Sequence, residues 1–304
     1  MLAGTAATLA TPRPASSAAP LVRWQGTAMG ARTSLAIAGR TREESHRLVE
    51  LAVAEIERME GLFSLYRGDS AIARLNRHGR LATPPADFVA LLETCDRVHA
   101  LTGGMFDPTV QPIWRLLAQR QGTPDSGEME DARTLVDWRQ LSFDKHEVAF
   151  ARSGMALTLN GIAQGYATDR VADLLRGAGL GNVMVSVGEI ACLGEPEPGK
   201  PWRIGVALRE DAPADDEIEL RDMAIATSAP LGTTFDRARS VGHIVAPLAR
   251  SSYPEWERIS VIHRSAALAD GLSTGFCLMP AEQIATAATR AGATVRLKTA
   301  RQPA

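Results

Sequence analysis

The sequence predicts a single α+β domain, and three observations carry that prediction. Amphipathic helical segments are separated by groups of short β-prone runs that follow one another closely, as antiparallel strands do. No internal repeat and no domain break interrupts this pattern. The 304 residues are 45% hydrophobic and 22% charged, which suits one large core. Residues 21–304 read as that domain and residues 1–20 as a tail.

Composition excludes several function classes. Net charge is −2 and no basic stripe stands out, so nucleic acid is not an expected partner. Cys95, Cys192 and Cys277 are isolated among apolar neighbours, which suggests neither a disulfide framework nor a CxxC metal site. The histidines form no HxxxH or HExxH pair, so a zinc site is not expected. No apolar run approaches the roughly 20 residues that span a bilayer.

Residues 1–20, MLAGTAATLATPRPASSAAP, carry no periodicity. Ser17-Ala18-Ala19 suits signal-peptide cleavage, but a basic n-region and a continuous apolar stretch are missing. The segment is either the remnant of an export signal that starts upstream or a disordered tail. The first reading puts the protein on the periplasmic side, free or membrane-associated; the second leaves a cytoplasmic location open.

The elements follow in order. Leu21–Trp24 and Thr33–Ile37 read as paired strands around the loop Gly26–Gly30. Thr41 and Glu44 make a capping box for a long helix burying Leu48, Leu51, Ala52, Ile56 and Met59. A turn at Tyr66–Ser70 leads into a short helix, Ala71–Asn76. Tyr66 either stacks on a planar ligand or packs as a half-exposed ring. Thr83-Pro84-Pro85 opens a helix with Phe88, Leu91, Leu92, Cys95 and Val98 on its buried face. It stops at Gly103-Gly104, and Met105–Thr109 follows as turn chemistry or as a binding loop.

Gly122–Asp131 reads as a polar linker. Leu141–Phe143, Glu147–Phe150 and Met155–Leu159 read as a small antiparallel set, and Trp202–Leu208 as a strand. Glu210–Glu219 reads as an exposed acidic loop. Ala224–Ser228, His243–Ala246 and Ile259–His263 read as strands. Helices near Asp270–Leu278 and Ala281–Ala291 and a strand at Thr294–Lys298 close the chain.

The stretch 157–190 organises the rest. Leu157–Leu159 is a short β-prone piece, Asn160 suits an N-cap, and Gly161 frees the turn. From Ile162 apolar residues recur at helical spacing until Gly177 and Gly179, and Val183–Val187 reads as a buried strand. A strand that turns into a helix this way presents free N–H groups at the positive end of a helix dipole. Such an end suits a phosphate or a carboxylate, although many αβ units begin so and bind nothing. The run Gly177–Gly181 follows a helix, so it is a helix stop and not a dinucleotide fingerprint. Further on, Asp270 and Thr274 stand at i and i+4. Together they are either hard oxygen ligands for Mg2+ or Ca2+, or a capping Asp and a Thr bonded to its own helix.

Seven stretches in order resemble the ApbE family of flavin transferases. They are Met29-Gly30, FSLYRGDSAIARLN at 63–76, TGGMFDPTVQPIWRL at 102–116, NGIAQGYATDRVADLL at 160–175, ATSAP at 226–230, HIVAP at 243–247 and ADGLSTGFCLM at 269–279. The resemblance implies one α+β domain with antiparallel sheets and helices packed around a flavin-nucleotide cleft. It implies Mg2+-dependent transfer of FMN from FAD to a Ser or Thr hydroxyl of an acceptor protein, with release of AMP. The acceptor it implies is a subunit of a membrane-linked redox complex facing the periplasm. Met29, Tyr66, Met105, Phe106 and Asp107 then contact the flavin nucleotide. Gly161, Asp270 and Thr274 hold the metal, and His243 deprotonates the acceptor hydroxyl.

The chain departs from the family pattern DLGGIAKGY in having Thr158, Asn160 and Gln164. Loss of an acid and a lysine together is a compensated swap, and Thr158 and Gln164 keep hydrogen-bonding capacity toward FAD without charge. Ala246 replaces the Asp of HIxDP, and Gly188-Glu189 shortens a glycine pair before an acid. Two other activities fit the same cleft: an FAD pyrophosphatase giving FMN and AMP, and a non-catalytic FAD carrier.

Overall fold

A seven-stranded antiparallel sheet forms the spine of the structure. The computed structural model describes residues 7–9, 21–208, 212–247 and 255–300. The amino-terminal part contains β1 (Ala7–Leu9), β2 (Leu21–Ala28), β3 (Ala31–Ala38), α1 (Arg42–Phe63), α2 (Ala71–His78), β4 (Arg80–Ala82) and α3 (Ala86–Leu101). Next come α4 (Gln111–Gln119), α5 (Ser126–Thr134), β5 (Leu141–Phe143), β6 (Glu147–Phe150), α6 (Ala163–Gly177), β7 (Val183–Val187) and β8 (Glu189–Leu193). The rest comprises β9 (Trp202–Val206), β10 (Asp216–Leu220), β11 (Met223–Ser228), β12 (Trp256–His263), α7 (Ala266–Phe276), α8 (Ala281–Ala291) and β13 (Thr294–Thr299).

The large sheet has the order β13-β12-β11-β8-β7-β3-β2. Both of its faces are covered at the centre, which explains why β7 and β8 are buried at every position, whereas the edge strand β13 is largely exposed. Val183, Val185 and Val187 point into the main core with α6 and α7, while Met184 points to the other face. There it meets Trp202, Ile204 and Ile218 of a second sheet, β1-β9-β10. Predicted burial is matched in α3, where Phe88, Leu91, Leu92, Cys95 and Val98 are all inaccessible. Each large apolar side chain so buried contributes about 2 kcal/mol of transfer free energy. The Thr41–Glu44 capping box is present in both directions, at 3.3 and 3.0 Å. All three cysteines are free and buried.

Several expectations are corrected. The β2–β3 pairing runs to Ala28↔Ala31, so Gly26–Ala28 is strand and the turn is Met29-Gly30 alone. Both turn residues have positive φ, 52° and 75°, the backbone of a two-residue type I′ hairpin. The polar segment after Gly122 contains α5, opened by an Asp125–Glu128 capping box that the linker reading overlooked. The third strand of the small sheet is β4, not Met155–Leu159. Asn76 takes the ladder's place there: its side chain bonds the Leu157 N–H at 2.7 Å and the Leu157 carbonyl at 2.8 Å.

His243–Ala246 is likewise not a strand, since its approach to Thr233 and Thr234 makes only an isolated bridge at Thr234↔Gly242. The Trp202 strand ends at Val206, and the acidic loop contains β10, whose Ile218 and Leu220 are buried against β9. Residues 210 and 211 of that loop, with residue 209 before it, lie outside the described residues. So does most of the tail, of which Ala7–Leu9 pairs with β9.

Candidate active site

The site is built on one helix pair. α6 and α7 run antiparallel in a register marked by three contacts, each one turn from the next. Thr274 Oγ1 donates to the Gly161 carbonyl at 3.3 Å, just before α6 begins. The Gly165 N–H donates to Asp270 Oδ2 at 2.9 Å. The Ala266 N–H donates to Asp169 Oδ1 at 2.7 Å.

Small residues permit this approach. A Cβ on Gly165 would lie 2.3 Å from the Ala266 carbonyl oxygen, and one on Gly161 would lie 2.9 Å from Thr274 Oγ1. Asn160 is not the N-cap of α6; Ile162 holds that position without a side-chain bond. The carboxylate that serves this helix end is the chain's own Asp270, reaching from α7 to the first turn.

Gly161, Asp270 and Thr274 therefore lie together. The set is one carbonyl, one hydroxyl and one carboxylate, all hard oxygen donors suited to Mg2+. Among the described residues no group of three His, Cys, Asp or Glu side chains assembles, and this set carries one carboxylate only. Asp270 is buried, and loss of solvent pushes its carboxyl up to about 7; the Gly165 N–H opposes this and the charge of Asp169 adds to it. A group buried at that cost, with one oxygen free of protein donors, fits the requirements of a cation ligand.

Of the residues expected to contact the nucleotide, several are tied to the segments that build this centre. Gln164 Nε2 donates to the Met29 carbonyl at 3.1 Å, and the Met29 N–H donates to Glu60 Oε1. The positive φ of Gly188 brings its backbone beneath the Gln164 amide, where a Cβ would meet Gln164 Cδ at 2.5 Å. The Thr158 N–H donates to the Pro108 carbonyl at 2.9 Å, which ties the loop Met105–Thr109 to the segment entering α6. Phe106 packs beside Gly275, one residue past Thr274.

Met105, Phe106 and Asp107 are themselves buried. The Asp107 carboxylate accepts from Thr109 N–H at 2.8 Å, from Thr109 Oγ1 at 2.6 Å and from Trp138 N–H at 3.2 Å. Its side chain thus shapes the loop from within. Tyr66 is the reverse case, 73% exposed on the turn after α1, with no ring packed against it among the described residues.

His243 stands on the loop that leaves β11. Ser228, the last residue of β11, touches Ser273 Oγ at 2.7 Å and Thr274 Oγ1 at 3.4 Å. Past it the chain folds back so that His243 donates from its N–H and from Nδ1 to the Thr233 carbonyl, at 3.0 and 3.1 Å. A carbonyl can only accept, so Nδ1 carries the proton and the neutral ring keeps its lone pair on Nε2. Burial lowers the His243 pKa from the usual imidazole value, which favours that neutral form.

Two side chains went unassigned in the sequence. Asp169 caps α7, accepting also from Ser265 Oγ at 2.7 Å and Ala267 N–H at 3.0 Å. Glu189 lies buried near Asp270, its Oε2 accepting from Thr227 N–H at 3.1 Å. Its position beside Gly188, at a departure from the family pattern, was the available signal.

Known proteins match this chain in sequence and in fold. The ApbE family pattern covers residues 29–297. The "FAD:protein FMN transferase" of Haemophilus influenzae is 27% identical over 79% of this chain and 73% of that protein. The protein of the same name from Vibrio cholerae is 29% identical over 75% of this chain and 72% of its own length. The solved structure "Flavin Transferase ApbE from Vibrio cholerae" superposes with a TM-score of 0.80 at 26% identity, covering 92% of this chain and 93% of that one. With most of its length matched in sequence pattern and in fold, the chain belongs to the ApbE family.

Proposed function

We propose that this chain transfers FMN from FAD to a Ser or Thr hydroxyl of an acceptor protein and releases AMP. The observation that carries this reading is the convergence of the Gly161 carbonyl, Thr274 Oγ1 and Asp270 at the α6–α7 crossing. The names carried by its relatives supply the chemistry to which such an oxygen-donor centre is suited.

Those three residues would hold Mg2+, which when bound neutralises pyrophosphate charge and polarises the FMN-side phosphorus. Gln164 and the Met29 carbonyl border the nucleotide cleft and orient the dinucleotide through neutral hydrogen bonds. Neutral donors suit this chain, because Thr158 and Gln164 stand where the family pattern has an acid and a lysine. Tyr66, exposed on the turn after α1, offers a face for the flavin ring.

His243 Nε2 accepts the proton of the acceptor hydroxyl as its oxygen attacks the FMN-side phosphorus. The bond from that phosphorus to the AMP oxygen breaks, and AMP leaves with the bonding pair. Orientation of the nucleophile and charge neutralisation supply most of the acceleration. The acceptor is read as a subunit of a membrane-linked redox complex on the periplasmic side. The small-residue pattern at Ser17–Ala19 supports that location. Among the described residues no helix is long and apolar enough to cross a membrane.

The deciding experiment is incubation with FAD, Mg2+ and an acceptor domain, followed by mass spectrometry of the acceptor. A gain of one FMN that requires Mg2+ supports the transferase. AMP and free FMN without labelling would replace it with a pyrophosphatase, and intact bound FAD with a carrier.

A further inference from the structure

Glu189 and Asp270 form a pair of carboxylates with no counter-charge. Both are at least nine-tenths buried, at 8% and 4% exposure. Their placement follows from one face of α6. Gly165 N–H holds Asp270 Oδ2, and one turn later Thr168 Oγ1 holds the Glu189 carbonyl at 3.1 Å. β11 brackets the same point from the other side. Its Thr227 N–H holds Glu189 Oε2, and the adjacent Ser228 hydroxyl meets Thr274 Oγ1.

Each carboxylate is thus satisfied at one oxygen only. The second oxygens, Glu189 Oε1 and Asp270 Oδ1, have no protein hydrogen-bond donor, and neither group has a Lys or Arg partner among the described residues. Neither oxygen is among the sealed, unpartnered polar atoms of the described residues, so both face accessible space in which a cation supplies the missing partner.

Resting on the cation site read above, we infer that Glu189 is a further cation-binding carboxylate of that site. It brings a second formal charge to a donor set otherwise made of Asp270, a hydroxyl and a carbonyl. Raising the ligand charge raises divalent-cation affinity, and here it makes the apo site pay in repulsion. The two effects have opposite signs, which makes the role measurable without turnover.

The test is Mn2+ binding to the purified protein by calorimetry and by electron paramagnetic resonance, with melting temperatures recorded with and without the metal. Glu189→Gln keeps an acceptor for the Thr227 N–H and removes the charge. Mn2+ binding should weaken at least tenfold while the metal-free melting temperature holds or rises. Glu189→Asp should recover part of the affinity.

Unchanged Mn2+ affinity in Glu189→Gln, with binding lost in Asp270→Asn, would overturn the role of Glu189 and leave the cation site standing. Wild-type affinity in both variants would instead remove the cation site itself. Weaker binding together with a lowered metal-free melting temperature would reassign Glu189 to a structural role.

Discussion

Asp169 and Asp270 each serve the amino end of the other's helix. Asp169, on α6, accepts from Ser265 Oγ and from the N–H groups of Ala266 and Ala267 at the start of α7. Asp270, on α7, accepts from Gly165 N–H in the first turn of α6. Both carboxylates meet the positive end of a helix dipole, and the exchange locks the antiparallel register that places Thr274 at Gly161.

Asp169→Ala orphans three donors at the start of α7. We expect a loss of about 2–3 kcal/mol in urea unfolding, the scale of a cap plus a buried unsatisfied donor. Asp169→Asn keeps an acceptor and should lose less. Equal stability of the alanine variant and wild type would refute the capping role.

Gly165→Ala places a methyl group 2.3 Å from a backbone carbonyl, where no rotamer change relieves it. The helices must separate, at about 3 kcal/mol, and Mg2+-dependent AMP release should fall with the loss of register. Gly177, whose Cβ would meet nothing within 4 Å, is the control: Gly177→Ala should leave AMP release unchanged.

The pH dependence of the metal-free protein follows from Asp270. Its folded pKa, about 7, lies above the unfolded value of 3.8. The folded state therefore binds the proton more tightly, and that contribution is fully present below pH 3.8 and lost as pH rises through about 7. Chemical denaturation without divalent metal should show stability falling over this window. Asp270→Asn should flatten the curve there; an unaltered slope would contradict the assignment.

His243 sets a second pH dependence. Its lowered pKa places the acid limb of the transfer rate below the ordinary imidazole range, since the base must be neutral. His243→Ala should reduce FMN transfer by about 10²–10⁴-fold and leave Mn2+ binding intact. Acceptor labelling at the wild-type rate in the alanine variant would dismiss it as the base.

Much of this was legible in the sequence. The Thr41–Glu44 box, the buried face of α3, the strand Val183–Val187 and the helix Ala281–Ala291 follow local rules that their neighbours do not override. The misses have distinct causes. Met155–Leu159 has strand composition, yet Asn76, distant in sequence, takes the Leu157 backbone groups. α5 was hidden because its polar surface resembles a linker, although its capping box was present to be read.

By itself, the sequence determined the α+β class, the family and the candidate site residues, because capping patterns, periodicity and ordered motifs are properties of neighbouring residues. Only the tertiary structure decided which of those residues meet. The glycines at 161 and 165 let two helices distant in sequence approach to backbone contact, and that register puts a hydroxyl, a carbonyl and Asp270 at one point, with Glu189 beside them. Charge buried without a partner exists only after folding has removed the water, so the electrostatic character of Glu189 and Asp270 could not be read from their letters.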